Sequence, residues 1–399
     1  MTEFKPFDPM SSYFEQHPYE EFKRMREHCR AYRHEDTLMP VVSFFHDSDI
    51  RAMLQDWETW SSQRSEDYNK KALGDAALLI GSDPPYHTKY RDIVAPLFMP
   101  GKMKEWSGVI EQFVSETLDQ TLGAGEINFV EDVAADVTVK TICEVAGVPK
   151  SDGPLVRKMT IDLAYEDGRP VFWKKPDPET EARVGNVMSE LTDYFTEHFK
   201  KRDPYKHDDL LSLIGREVKE RRELIGLCIL IVAAGNETTT NLITHTLQEL
   251  NRHPEQMRII RDDPDGNMNG LIEEILRYRG TIRKQDRYAR IDTEIDDVEI
   301  RKGDPIALWN GSASRDPAVV DRPDEFDITR HPNRHLAFGS GIHMCIGNAL
   351  ARVEMRVLFK QLLERTKEIP ETRGSESYES LKNGVLDAAK RYSVELIAA

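Results

Sequence analysis

The chain has 399 residues, a net charge of −16 and an isoelectric point near 5.3. A surface this acidic excludes a general nucleic-acid binder, because phosphate contacts need a basic face, and it excludes broad docking on anionic lipid. With 39% hydrophobic and 31% charged residues, the composition suits a globular protein with a sizeable core.

The N-terminal stretch "MTEFKPFDPMSSYFEQHPYEEF" is polar and acidic and has no apolar run of the kind a secretory signal carries. A cytoplasmic protein is expected. "MPVVSFF" reads as a strand. "MKEWSGVIEQFVSETLDQTL" has apolar residues at three- and four-residue spacing, as an amphipathic helix does. "VEDVAADVTVKTICEVAGV" follows the same pattern and ends in a glycine suited to a helix C-cap.

The longest helical signal runs from about residue 222 to 251. Its first half is apolar nearly all round, the mark of a buried central helix. The most apolar run, "LIGLCILIVAAG", is too short to span a bilayer, so no membrane span is expected. Gly235 costs about 1 kcal/mol relative to alanine inside a helix. Three threonines follow it, so a local break is predicted there. Beyond that helix, "RYARIDTEIDDVEIRKGDPIALWN" alternates with charged turns and reads as strands. "NALARVEMRVLFKQLLERT" is a clear amphipathic helix, and "KRYSVELIA" reads as a final strand. No repeat or linker divides the chain. The expectation is one domain over 1–399, mainly α with a smaller β part (α+β).

The cysteines Cys29, Cys143, Cys228 and Cys345 are widely spaced and form no CxxC pair. That argues against a zinc knuckle or a disulfide framework. The first three read as small buried residues. Cys345 differs. It lies in "AFGSGIHMCIG", just before a helix start, where amide N–H groups and the helix dipole favour a thiolate. Gly341 and Gly347 let the backbone turn sharply or approach something flat. A lone thiolate of this kind is either a nucleophile or an axial ligand to iron. A nucleophile needs a base. His343 is near in sequence, but residues two apart do not generally share a face.

The pattern F-x-x-G-x-x-x-C-x-G, formed by Phe338, Gly341, Cys345 and Gly347, resembles the haem-binding signature of the cytochrome P450 family. "HLAFGSGIHMCIGNALAR" extends the likeness. Three further stretches resemble family motifs in the family's order. "AGNETT" resembles the oxygen-activation segment, Glu274-x-x-Arg277 the buried ion pair behind the haem, and His87-x-x-x-Arg91 in "DPPYHTKYR" a propionate-binding helix. The likeness covers nearly the whole chain and is closest to the soluble bacterial and archaeal branch.

The resemblance implies a haem-thiolate monooxygenase with a long central helix over haem b (heme b; iron protoporphyrin IX) and with O2 as co-substrate. Cys345 would ligate the iron, with Phe338 packed by the sulfur and the glycines letting amides approach it. His87, Arg91, Arg287 and His343 would hold the propionates. Ala234 and Thr238, four apart on one face, would leave room for oxygen, and Thr238 with Glu237 would serve its activation. Glu274 and Arg277 would form a structural ion pair, completed by Arg322 or Arg330. Leu78, Leu79, Leu230, Ala233, Ile282, Val385 and Leu386 would line an apolar substrate pocket. Arg283, in the polar run with Lys284 and Gln285, is a candidate anchor for a substrate carboxylate. Lys89, Arg352 and Arg356, with Lys102 or Lys104, would face a ferredoxin or flavodoxin fed by an NAD(P)H-dependent reductase. The rival readings are an H2O2-driven peroxygenase on the same scaffold and a non-enzymatic haem-thiolate gas sensor. The Glu237–Thr238 pair is superfluous for both.

Overall fold

The computed structural model describes residues 5–63, 79–167, 173, 178–381 and 386–399. The predicted central helix spans Arg221–Arg252. It packs against the helices Asp136–Ala146, Gly153–Asp167, Pro178–Lys201 and Pro264–Arg279. Packed on several sides, it buries most of its side chains, which is why its sequence lacks a polar stripe. Among the described residues it is the one helix long and apolar enough to cross a membrane, and most of that apolar stretch is buried inside the fold.

The predicted break at Gly235 is not there: the helix is continuous. The glycine answers a packing demand instead. A Cβ at Gly235 would lie 2.7 Å from Cδ1 of Ile142 on the helix Asp136–Ala146. Two of the three threonines are accommodated because their hydroxyls donate to carbonyls one turn earlier: Thr238 to Ala234 at 2.8 Å and Thr240 to Asn236 at 3.0 Å; Thr244 further on does the same to Thr240 at 2.9 Å.

The other helices follow their apolar spacing. Pro100–Thr121 and Asn348–Arg365 form as predicted and pack on one another. The segment from Val130 opens as a π-helical turn, Val130–Ala135, before the α-helix Asp136–Ala146. Gly147 ends that helix at φ +79°, its amide donating to the Cys143 carbonyl at 2.9 Å.

The β part stands beside the helices. One mixed sheet has the order Ala31–Arg33, Val42–Phe44, Pro305–Leu308, Gln285–Ala289, Trp60–Ser61. Val42–Phe44 and Pro305–Leu308 run parallel; the other pairs are antiparallel. The C-terminal strand Ala388–Glu395 lies between Tyr378–Leu381 and Glu126–Asn128. The architecture is thus mainly α with a smaller β part, as expected. Its largest apolar cluster gathers around the central helix.

The Gly235–Ile142 contact yields a test. Gly235→Val should destabilise the protein by about 1–3 kcal/mol through overpacking. Ile142→Ala in the same chain should recover part of that loss, read as a non-additive double-mutant cycle in denaturant midpoints.

Candidate active site

The loop carrying Cys345 turns on glycines at positive φ, +69° at Gly339 and +71° at Gly341. At Gly341 a Cβ would lie 2.2 Å from the Leu54 carbonyl oxygen, at the end of the helix Asp47–Gln55. This glycine makes the sharp turn that was one of its two expected roles, and it is also required by backbone packing on that helix. The loop closes when the Cys345 amide donates to the Phe338 carbonyl at 2.8 Å. Asn348 Nδ2 ties the Cys345 carbonyl at 2.6 Å.

Gly347, at the N-cap of Asn348–Arg365, directs its amide toward the Cys345 sulfur, as expected. Burial nevertheless pushes the thiol up, outweighing that amide and the charges of Arg91 and Arg352. The amide at the helix start favours the thiolate, as expected, while burial opposes it. A metal cation at the sulfur would tip the balance, since a coordinated thiol loses its proton.

Opposite the expected burial, the central helix has an open stripe. Ala234 is exposed and Leu230, Ala233, Gly235 and Thr238 are half-buried, while Ile231, Val232, Asn236 and Glu237 are buried. The open residues share one face at three- and four-residue spacing. Thr238 is held there twice: its hydroxyl donates to the Ala234 carbonyl, and its own carbonyl accepts from Thr281 Oγ1 at 3.1 Å. Glu237 points away, buried and ion-paired with Arg157, which also reaches Glu131 at 2.9 Å. Nothing in the spacing of the sequence pointed to Arg157.

The four expected propionate residues converge, and three of them keep nitrogens without a partner. The rings of His87 and His343 lie 4.4 Å apart between centroids. Among the described residues, both ring nitrogens of buried His87, Nε2 of His343 and one terminal nitrogen of buried Arg287 have no hydrogen-bond partner at ordinary distance and angle, although the Ile342 backbone lies beside His87. Arg287 spends its other terminal nitrogen on the Asp286 carbonyl at 2.7 Å, and Arg91 spends one on the Met344 carbonyl at 2.8 Å. Burial, reinforced by the charges of Arg287, His87 and Arg91, pushes His343 down to about 2. Burial likewise lowers Arg287 to about 10. An unpaired buried polar group costs about 1–3 kcal/mol. A ligand carrying carboxylates removes that cost, so the residues present fit the haem the sequence implies.

Behind this site, Glu274 is fully buried and saturated. Arg277 donates to it from Nε and a terminal nitrogen, both at 2.8 Å. Asn333 Nδ2 and the Asp327 amide also donate at 2.8 Å, and Arg330 Nε stands 3.3 Å away. Arg330 is thus the third member. Arg322 is exposed and pairs with Glu325 at 2.6 Å. Asn333 went unnoticed in the sequence, where an isolated asparagine carries no signal.

Of the expected pocket residues, Leu78 and Val385 lie outside the described residues. Leu79 is buried in the main core; Leu230 and Ala233 lie on the open stripe; Ile282 and Leu386 face one another in an antiparallel bridge. Arg283 is not a free anchor. Its terminal nitrogen lies 3.1 Å from Asp387, which also pairs with Arg279 at 3.0 Å. Lys284 is buried against Asp286 and the Trp173 ring. The polar run after Arg277 is therefore an internal ion-pair layer.

The anticipated basic surface is also largely engaged. Lys89 pairs with Glu223, Lys102 with Glu105 and Asp208, Arg352 with Glu273, and Arg356 donates to Asn269; Lys104 is exposed.

Arg330→Ala should destabilise the protein by about 1–3 kcal/mol, because the buried carboxylate loses a donor, whereas Arg322→Ala should stay within about 0.5 kcal/mol of the parent. Thermal unfolding of the two variants measured side by side decides between the arginines.

Comparison with known proteins agrees with this geometry. The family model "Cytochrome P450" matches residues 170–396. Putative cytochrome P450 YjiB of Bacillus subtilis (strain 168) is 32% identical over 359 residues, 87% of each chain. Linalool 8-monooxygenase of Pseudomonas putida is 32% identical over 306 residues, 74% of this chain and 73% of that one. Among solved structures, P450BioI in complex with an acyl carrier protein ligated to hexadec-9Z-enoic acid has a TM-score of 0.89 at 27% identity, covering 96% of this chain and 100% of that one. A cysteine loop, an open stripe on the central helix and a convergence of buried nitrogens without partners among the described residues, together with these likenesses, show that the chain belongs to the cytochrome P450 family and is a haem-thiolate monooxygenase of bacterial type.

Proposed function

We propose that this chain, acting as one cytoplasmic domain, hydroxylates a medium-sized lipophilic substrate, using haem b and electrons from NAD(P)H through a separate reductase and a ferredoxin or flavodoxin. The observation that carries the cofactor assignment is the set of buried, unpaired donors on His87, His343 and Arg287 beside the Cys345 loop. When bound, haem b supplies O2 activation and the transfer of one oxygen atom to the substrate.

The chain's own residues do the rest. Cys345 Sγ would hold the haem iron, and the Gly347 amide would moderate its electron donation. Arg91 and Arg287 would neutralise the propionates, and His87 and His343 would hydrogen-bond to them. Leu230, Ala233, Ile282 and Leu386 present an apolar wall that excludes water and suits a hydrocarbon-rich molecule. The Thr238 hydroxyl, bonded to the Ala234 carbonyl at 2.8 Å, needs only a rotation about χ1 to donate toward the open stripe. Glu237 moves protons toward it, and Arg157 is ion-paired with that carboxylate.

Two relatives support the substrate class: one is named for linalool, and one structure holds a hexadecenoic acid on its carrier protein. Arg283 has no part in it, being committed to Asp387. The ion-paired acid beside Thr238 favours O2 and external electrons over H2O2, which brings its own protons.

Two outcomes test the reading. The dithionite-reduced, CO-treated protein should show the long-wavelength Soret band of thiolate-ligated haem, and Cys345→Ser should lose it. In turnover with a lipophilic substrate, Thr238→Ala should lower product formed per reducing equivalent by about tenfold or more, as expected for loss of a proton-delivering group, with the CO band unchanged. A histidine-type band in the folded wild type sinks the ligand assignment.

A further inference from the structure

Arg352 was expected on the sequence as a free surface cation for an electron donor. Its geometry is different: every nitrogen of its guanidinium is engaged. Nε and one terminal nitrogen form a bidentate pair with Glu273 at 2.6 and 3.0 Å. The other terminal nitrogen donates to the carbonyl and side-chain oxygens of Asn348, at 3.2 and 3.1 Å. Held in this way, the guanidinium carbon sits 4.6 Å from the centre of the Phe338 ring. The same carboxylate holds a second group on that ring: His335 Nε2 lies 3.0 Å from Glu273, and the His335 and Phe338 rings are 6.2 Å apart. His335 Nδ1 accepts from the Ala337 amide at 3.3 Å, which assigns the proton to Nε2 and makes it the donor to Glu273.

Two consequences follow. First, Phe338 is fixed from outside, and its carbonyl is the acceptor for the Cys345 amide, so the clamp reaches the cysteine backbone. Asn348, held by Arg352, also ties the Cys345 carbonyl. Second, a permanent cation is locked over Phe338, the residue whose carbonyl takes the Cys345 amide, with a carboxylate behind that cation. Burial alone would push Glu273 up, but hydrogen bonds from His335 and Arg352 and the Arg352 charge bring it down to about 2, so it is ionised.

We propose that Glu273 and Arg352 are a positioning pair that clamps Phe338 against the cysteine loop and sets the electrostatic potential at the Cys345 sulfur, and so tunes the reduction potential of the bound haem. The proposal rests on Cys345 being the axial ligand. Reduction adds an electron to the iron–thiolate unit. A fixed cation beside it favours the reduced form, and the carboxylate behind that cation opposes it. The two members therefore act with opposite sign, which a purely structural clamp would not do.

The test is a spectroelectrochemical titration of the substrate-free holoprotein. Arg352→Met, which keeps the stem over the ring, should lower the reduction equilibrium constant by about threefold or more. Glu273→Gln, which keeps an acceptor for Arg352 without charge, should raise it by about the same factor. Both should keep the long-wavelength ferrous–CO band. Arg352→Lys, which keeps the charge, should stay near wild type. If either isosteric variant loses haem, Arg352→Gln and Glu273→Ala are titrated in their place with the same signs expected. Shifts of the same sign in both members, no shift with the band intact, or a fall for Arg352→Lys as large as that for Arg352→Met would each overturn the proposal. A histidine-type band in the wild type would instead overturn the ligand assignment, and this inference with it.

Discussion

The carboxylate of Glu274 is the fixed point of the structure. It has no exposed surface, and a buried ion without full pairing costs several kcal/mol. Five donors from four residues meet that demand: two from Arg277 in its own helix, and one each from Asp327, Arg330 and Asn333 in the loop that leads to the cysteine. The pairing leaves that loop little freedom. Where it crosses the helix Pro264–Arg279, a Cβ at Gly270 would lie 2.0 Å from the Ile328 carbonyl oxygen, so the two backbones touch with no side chain between them. Gln256 adds a hydrogen bond to the Ile328 amide at 3.0 Å. The loop then enters the glycine turn that presents Cys345.

The opposite logic applies a short distance away. Glu274 has every lone pair met, while His87, His343 and Arg287 keep buried donors with no acceptor. In a chain with a net charge of −16, acidic side chains are plentiful, yet among the described residues none is bonded to these nitrogens. An anionic ligand that binds only the folded form stabilises it. One fully paired carboxylate holds the scaffold rigid, and one set of unpaired nitrogens suits an anionic ligand. The same polypeptide uses both because rigidity behind the site is what keeps the orphaned donors converged.

Much of this was legible in the sequence, for identifiable reasons. Apolar spacing marked Pro100–Thr121, Arg221–Arg252 and Asn348–Arg365, since a packed helix repeats its buried face. The four motifs marked the site because each is short and local. One error came from reading a glycine in isolation. Gly235 is required by a neighbour distant in sequence, Ile142, that no local pattern announces. A second came from reading cations without their partners. Arg283, Arg352 and Lys102 looked available, yet Asp387, Glu273 and Asp208 neutralise them from 104, 79 and 106 residues away. Composition reports how many charges a chain has, and only the fold reports which are already spent.

Glu273 and Glu274 bring these points together. They are neighbours in one helix, where successive side chains point about 100° apart. That rotation sends Glu274 inward to the arginines of the cysteine-delivering loop and Glu273 sideways to Arg352 and His335. A single helical turn therefore grips the segment before the cysteine and, through Arg352 and Asn348, the helix after it. Any change in the orientation of Pro264–Arg279 must move both ends of the cysteine loop together. Local strain at the sulfur is thereby replaced by rigid-body motion, which a densely packed core resists. The separation of the two acids by one residue is what makes the sulfur's position a property of the whole fold rather than of its loop.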